Sequence, residues 1–488
     1  MANPLRRPRL LIGVIAAVLL VGAGAAAALY FLVLKDPGDF SNPDIPFVDE
    51  VEPEPTPEPP PGGRDPTASF EWPRFGYTKD HRRAYTPPKP LRGPFRQVWR
   101  HRAPALTEFP PAIWHGSILQ LADNGRLAAL DKDTGKRRWK RKLGSLSAST
   151  PAVEAGIVYV TLLESSKGSG NGRVVALRVR DGKILWSRKL SSRSESSPLV
   201  HEGRVFFGSE GGTLYALDAR TGAKEWTYRA AGAIKGSPTL SDGLLYFGDY
   251  GGQVQAVRAR DGARIWSTGA ARRFLSGGNF YATAAVAFGR VYIGATDGRV
   301  YSLSARDGRI AWAHQTGRYV YSSAAVQSVP GIGPTIFVGS YDGVLYALDA
   351  RSGSVRWRYR SGGKISGSPT IVGDVVYFAD LGRAMTFGLR TRDGDVAFRY
   401  EVGAYDPMVS DGRHLFVTGN RSLTALLPAA EYKRQQARKR AVKRFKRERA
   451  KQRREASRKA AAPWPESCRQ LAPCGPLQAV WRPRARPG

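Results

Sequence analysis

The stretch "LYALDARTGAKEW", residues 214–226, returns almost unchanged as "LYALDARSGSVRW" at 345–357. Aligned on its glycine, the core of this stretch recurs as "ALDKDTGKRRW" (129–139), "ALRVRDGKILW" (176–186), "AVRARDGARIW" (256–266), "SLSARDGRIAW" (302–312) and a weaker "GLRTRDGDVAF" (388–398). Seven copies spaced 40 to 47 residues apart are an internal repeat.

Each copy reads as an alternating apolar strand, a turn closed by glycine, and a second strand ending in an aromatic residue. Glycines such as Gly135 and Gly222 supply the positive φ that a tight hairpin needs. The Asp or Thr beside them bonds the turn's own backbone, so these acids are turn formers first. Upstream of each hairpin lies another strand pair, as in "GSPTLSDGLLYFGDYGG", and four short strands per 40 residues make one propeller blade. The terminal aromatics, Trp99, Trp139, Trp186, Trp226, Trp266, Trp312, Trp357 and Phe398, are then docking residues that lie across the hairpin of the adjacent blade. Each such ring buries about 150 to 250 Å².

This pattern resembles the tryptophan-docking motif of the PQQ-binding-like, or quinoprotein alcohol dehydrogenase-like, β-propeller family. In type it is closest to the non-enzymatic propeller of the outer-membrane β-barrel assembly machinery. The fold expected is an all-β, eight-bladed propeller over 70–430. After the seventh hairpin come three strand candidates, "DPMVSDG", "HLFVTGN" and "SLTALLP", without a fourth. The missing outer strand is "FRQVWRHR" at 95–102, so pairing it with the strand around Leu423–Leu427 closes the ring.

Three other segments stand apart. Residues 10–34, a 25-residue uncharged run after Arg6, Arg7 and Arg9, are long enough to span a bilayer. The small residues of "GAGAAAA" leave a cleaved signal peptide as the other reading, but the apolar run continues to Leu34. As a single-pass anchor, Leu10–Leu34 leaves residues 1–9 in the cytoplasm and the propeller outside it. Residues 35–69 are an acidic, proline-rich linker with "EPEPTPEPPPGG", expected to bury nothing and, extended, to hold the next domain up to about 90 Å from the membrane. Residues 431–460 hold fifteen Lys or Arg against three Glu and no Gly or Pro, which predicts an exposed basic helix. It is a solvated tail or a grip on an anionic surface. The Pro- and Arg-rich tail 461–488 contains the only cysteines, Cys468 and Cys474, whose even number outside the cytoplasm favours a small disulfide loop.

For function, the family resemblance implies either a scaffold or a dehydrogenase that holds pyrroloquinoline quinone and calcium. The predicted propeller contains no cysteine, whereas the enzymes carry a disulfide of adjacent cysteines over the cofactor. Among the openings of the inner strands the acids are Glu108, Glu195 and Asp406, three carboxylates on three blades. The six histidines have no metal-ligand spacing, and "GSGNG" lacks the context of a phosphate loop. The reading favoured is a binding or assembly scaffold without catalysis and without cofactor. The excess of Lys and Arg directs it to a protein, an anionic envelope polymer or lipid headgroups, and topology sets nucleic acid aside. The candidate site is the channel mouth, with Lys235, Tyr281, Tyr321, Lys364 and Tyr405 at the starts of inner strands.

Overall fold

The computed structural model describes residues 20–22, 38–49, 69–270, 278–403, 405 and 408–460. Eight four-stranded antiparallel sheets follow one another along the chain as the blades of a propeller. Blades 1 to 7 occupy 112–142, 152–189, 199–229, 239–269, 285–315, 325–360 and 370–400. Blade 8 combines three strands from 408–428 with Phe95–Arg102 as its outermost strand. That strand pairs antiparallel with Ser422–Pro428, Trp99 opposite Ala425, so the ring closes as the sequence predicts. Joining first and last strands leaves no open seam between blades for another chain to pair with.

Within a blade, period-two alternation sends residues such as Leu214 and Ala216 into the spaces between sheets, where both are fully buried. The outer tryptophans bridge those spaces. Trp312, fully buried, donates its indole N–H to Ala350 O of the next blade at 3.0 Å. Trp99, Trp139, Trp186, Trp226, Trp266 and Trp357 make the same bond to Lys132, Val179, Ala219, Ala259, Ala305 and Thr391, at 2.7 to 3.2 Å. The hairpin glycine has a second reason to be glycine. At Gly135, with φ of 66°, an added Cβ would lie 2.6 Å from the Trp99 ring. Phe398 has no N–H to give and packs edge-on to Phe95, at 5.5 Å between centroids.

Toward the axis, hydroxyls on neighbouring blades link the inner strands. The Oγ of Ser197, Thr283, Ser323 and Ser368 accept from the backbone N–H of Thr150, Ser237, Thr283 and Ser323, at 2.9 to 3.0 Å. This explains why "SSP", "GSP" and "SSA" recur just before the inner strands.

Two N-terminal segments pack on the ring. Residues 38–49 belong to the stretch expected to bury nothing, and here that expectation is corrected. Phe40–Ser41 add a fifth strand to the outer edge of blade 5, opposite Ala313 and Trp312. Ile45 is 2% exposed, Phe47 stacks on Phe288 at 5.3 Å, and the buried Arg290 guanidinium donates to the carbonyls of Ile45 and Pro46. The physical reason is that Phe40, Ile45 and Phe47 interrupt the acids, and burying one such side chain contributes about 1.5 to 3 kcal/mol. Residues 71–85 pass from blade to blade round the inside of the ring and cap the free inner edges. Carbonyls of Pro73, Lys79, Asp80, Arg82 and Arg83 accept from inner strands of blades 2, 4, 5, 6 and 7 at 2.7 to 2.9 Å. Glu71–Trp72 and Ala84–Tyr85 pair directly with blades 1 and 7.

Beyond the ring, Ala429–Ala460 is one helix of 32 residues, with Arg444 and Glu448 paired at 3.0 Å along its exposed surface. The predicted anchor falls outside the described residues except for Leu20–Gly22, which are helical. No helix among the described residues is long and apolar enough to cross a membrane. Cys468 and Cys474 lie outside the described residues.

Candidate functional site

Each blade contributes to the mouth through two elements: the connection entering its inner strand, and the turn between its second and third strands. Lys235, Tyr281, Tyr321 and Tyr405 come from the entering connections of blades 4, 5, 6 and 8, and all four line one small cavity of about 60 Å³ at the axis. Phe75, from the segment that caps the inner edges, lines the same cavity. Phe75 is held beneath the Arg83 guanidinium, 4.4 Å from its ring centroid. Arg83 in turn donates to Ser368 O and Pro369 O, at 3.1 and 2.8 Å.

On this mouth the structure assembles a run of tyrosines. Tyr250, Tyr281, Tyr321 and Tyr341 meet edge to face at 6.4, 5.2 and 4.9 Å, and Tyr319 joins Tyr321 at 6.0 Å. Such edge contacts match the positive rim of one ring to the negative face of the next. Lys235 Nζ stands 5.2 Å from the Tyr250 centroid and 6.0 Å from that of Tyr281. Lys364 lies outside the cavity, over Tyr341 at 5.6 Å. Tyr250 and Tyr341 escaped the sequence reading because they sit in the turns after the second strands. The aromatic in "GDYGG" and "GSYDG" was the available signal.

Electrostatically the mouth centres on Lys235, whose ammonium lies 2.6 Å from Glu195 and 3.2 Å from Glu210. Burial alone would lower the Lys235 pKa, but the two carboxylates outweigh it and hold it above its ordinary value. Burial raises Glu195 despite Lys235 beside it, and pushes the Tyr250 hydroxyl up to about 12. The result is a surface of aromatic faces and edges around a charge cluster that Arg193, 3.6 Å from Glu210, brings to balance. It can stack, accept cations over its rings and exchange hydrogen bonds through tyrosine hydroxyls. A wider opening of about 590 Å³ lies at the rim between blades 7 and 8, where Arg100, Arg102 and Arg421 outnumber Glu401.

Quinone and calcium can be tested against these residues. A cavity of about 60 Å³ holds roughly two waters, whereas cofactor pockets span about 300 to 1,000 Å³. Phe75 is among the side chains that line it. Of the three acids considered for calcium, Glu195 is engaged by Lys235, Glu108 lines the cavity and Asp406 lies outside the described residues. Among the described residues, no three His, Cys, Asp or Glu side chains gather as a metal site. The cavity that the described residues form here is smaller than a pocket for a fused-ring quinone with its metal.

Residues 96–428 match, in four overlapping stretches (96–169, 123–273, 170–331 and 297–428), the family model described as outer membrane protein assembly factor BamB. Among solved structures, BamB from Moraxella catarrhalis is 18% identical, covers 68% of this chain and 100% of its own, and superposes with a TM-score of 0.55. The quinohemoprotein alcohol dehydrogenase from Comamonas testosteroni is 13% identical, with 73% and 80% covered and a TM-score of 0.61. A europium-containing methanol dehydrogenase gives 13%, 74%, 98% and 0.62. At these identities the likeness is one of fold. No curated protein matches the chain.

Proposed function

The chain belongs to the family of the outer membrane protein assembly factor BamB, and from that membership we propose that it is a non-catalytic binding or assembly scaffold of the cell envelope. Leu10–Leu34 anchors it as a single membrane span, with residues 1–9 in the cytoplasm and the propeller outside. Its partner is a protein that lays a segment across the mouth. The observation that carries this reading is the run of tyrosines from Tyr250 to Tyr341 beside a cavity of only about 60 Å³ that Phe75 helps to line. So small a cavity offers a surface more than a chamber, and tyrosine-rich surfaces with a few charges suit protein contact at low entropic cost.

The test is capture from membranes with the full chain and with a Tyr281→Ala, Tyr321→Ala double variant, compared after mass spectrometry. A scaffold partner is retained by the first and lost by the second, while both proteins melt alike. Partners retained equally by both would exclude the mouth. Reconstitution with the quinone and calcium provides the opposing arm, and sustained alcohol-dependent dye reduction would overturn the scaffold reading.

A further inference from the structure

The docked N-terminal segment changes where the propeller can stand. Asp39 is fastened at the mouth end of blade 5, accepting from Gln315 N–H at 2.6 Å and meeting His314 Nδ1 at 2.9 Å. From there the chain runs down the outer edge of the blade through Phe40 and Ser41 to Asp49, which pairs with Arg351 in a hairpin at the opposite end of blade 6. The chain therefore enters the fold at the rim of the mouth. Between Leu34, the last residue of the apolar run, and Gly38, the first docked residue, there are four Cα steps, a reach of at most about 14 Å.

The rim beside this entry has the composition of a membrane interface. Gly317, Arg318 and Tyr319 are exposed, Tyr319 at 53%, and the exposed Lys364 lies beyond Tyr341. Acids of the same rim are engaged within the protein. Asp342 accepts from Gly317 N–H at 2.8 Å and from the Tyr346 hydroxyl at 2.7 Å, and Asp297 accepts from Arg299 N–H at 2.9 Å. The cations and the tyrosine are left facing outward. Aromatic rings with polar tips settle at the headgroup level, and Lys and Arg near an anionic leaflet are drawn to it.

We propose that the propeller is held directly against the membrane, with the rim bearing Arg318, Tyr319 and Lys364 on anionic lipid headgroups. Residues 38–49 of the acidic stretch are thus a strap along blade 5 instead of part of an extended spacer, while 50–68 lie outside the described residues. This rests on the reading of residues 10–34 as an anchor. The partner of the mouth is accordingly one that presents its segment close to the bilayer.

The experiment uses the full chain with Cys468→Ser and Cys474→Ser, reconstituted in vesicles of phosphatidylcholine and phosphatidylglycerol. A single cysteine replaces either Tyr319 on the mouth rim or Glu202 in a hairpin at the far end of blade 3, and each carries a fluorophore. Headgroup-labelled quencher lipid is then added. Quenching at 319 with little at 202 is expected. Phe40→Asp with Ile45→Asp, which undocks the strap, should weaken quenching at 319 while the protein still floats with the vesicles. Flotation with equal or no quenching at the two positions overturns the apposition and leaves the anchor standing. A chain that fails to float removes both.

Discussion

Lys132 Nζ lies 2.7 Å from Asp411 Oδ2, and with side chains 1% and 0% exposed the two form a buried ion pair joining blade 1 to blade 8 across the seam where the ring closes. Asp411 also meets His414 Nδ1 at 3.1 Å and takes the His414 backbone N–H at 2.6 Å. Burial works against the Asp411 carboxylate, but His414 and Lys132 outweigh it and hold its pKa far below the ordinary range. A depressed carboxylate contributes stability above about pH 4 that is lost as pH falls.

Asp411→Ala should cost about 3 to 5 kcal/mol, because it removes the 2.7 Å partner of the buried Lys132 ammonium and leaves the half-exposed Asp133 carboxylate at 4.0 Å. Lys132→Met with Asp411→Leu should recover most of that loss. Urea melts of the three proteins decide it, and a double variant no better than the single would refute the pairing.

Trp312→Ala removes a fully buried indole and its bond to Ala350, with an expected cost of about 3 to 5 kcal/mol. Gly353→Ala should also destabilise, since its Cβ would lie 2.7 Å from the same ring at a φ of 77°. The two losses share one contact, so the double variant should lose less than their sum in denaturant unfolding.

Removal of residues 1–102 takes away the outer strand of blade 8, Trp99 with it, and the segment that caps the inner edges. Blade 8 is left with three strands and an open edge. Scanning calorimetry should show loss of the cooperative transition. A sharp transition at the parent temperature would mean that the ring closes without that strand.

His81 is buried at the axis with Nδ1 3.0 Å from Thr239 Oγ1. Burial, with Arg74 and Arg83 adding repulsion, holds its pKa well below the usual value. The unfolded chain takes up a proton there below about pH 6.5 and the folded chain resists it. Its contribution is therefore full above that pH and declines below it, by up to about 1.4 kcal/mol per unit. Burial moves Asp123 up to about 6, a shift of opposite effect, so the difference between wild type and His81→Gln is the quantity to measure. Wild type should lose more stability than the variant between pH 7 and 5 in urea titrations.

Deleting 431–488 should leave the propeller's melting temperature nearly unchanged, since the helix has its own internal ion pairs at Arg434–Glu431 and Arg444–Glu448. It should remove most salt-sensitive binding to anionic vesicles by a protein of residues 36–488, because nineteen Lys and Arg go with it. Undiminished cosedimentation would assign that binding to the propeller.

The repeat determined seven hairpins with their glycines and docking aromatics, because that local pattern is written seven times over, and the three strands left after the seventh hairpin pointed to 95–102 as the outer strand that pairs around Leu423–Leu427 to close an eighth blade. Lys235, Tyr281, Tyr321 and Tyr405 were legible as mouth residues for the same reason: position within a repeat sets position on the ring. Tyr250 and Tyr341 were not, since which turns lean over the axis depends on how the blades tilt together. The Lys132–Asp411 pair was also invisible, being 279 residues apart and brought together only by closure. Nor could composition reveal that residues 38–49 and 71–85 dock. Both occur once and have no period. Their few apolar side chains and free backbone groups find partners only on the edges of blade 5 and of the inner strands, edges that exist once the ring has formed.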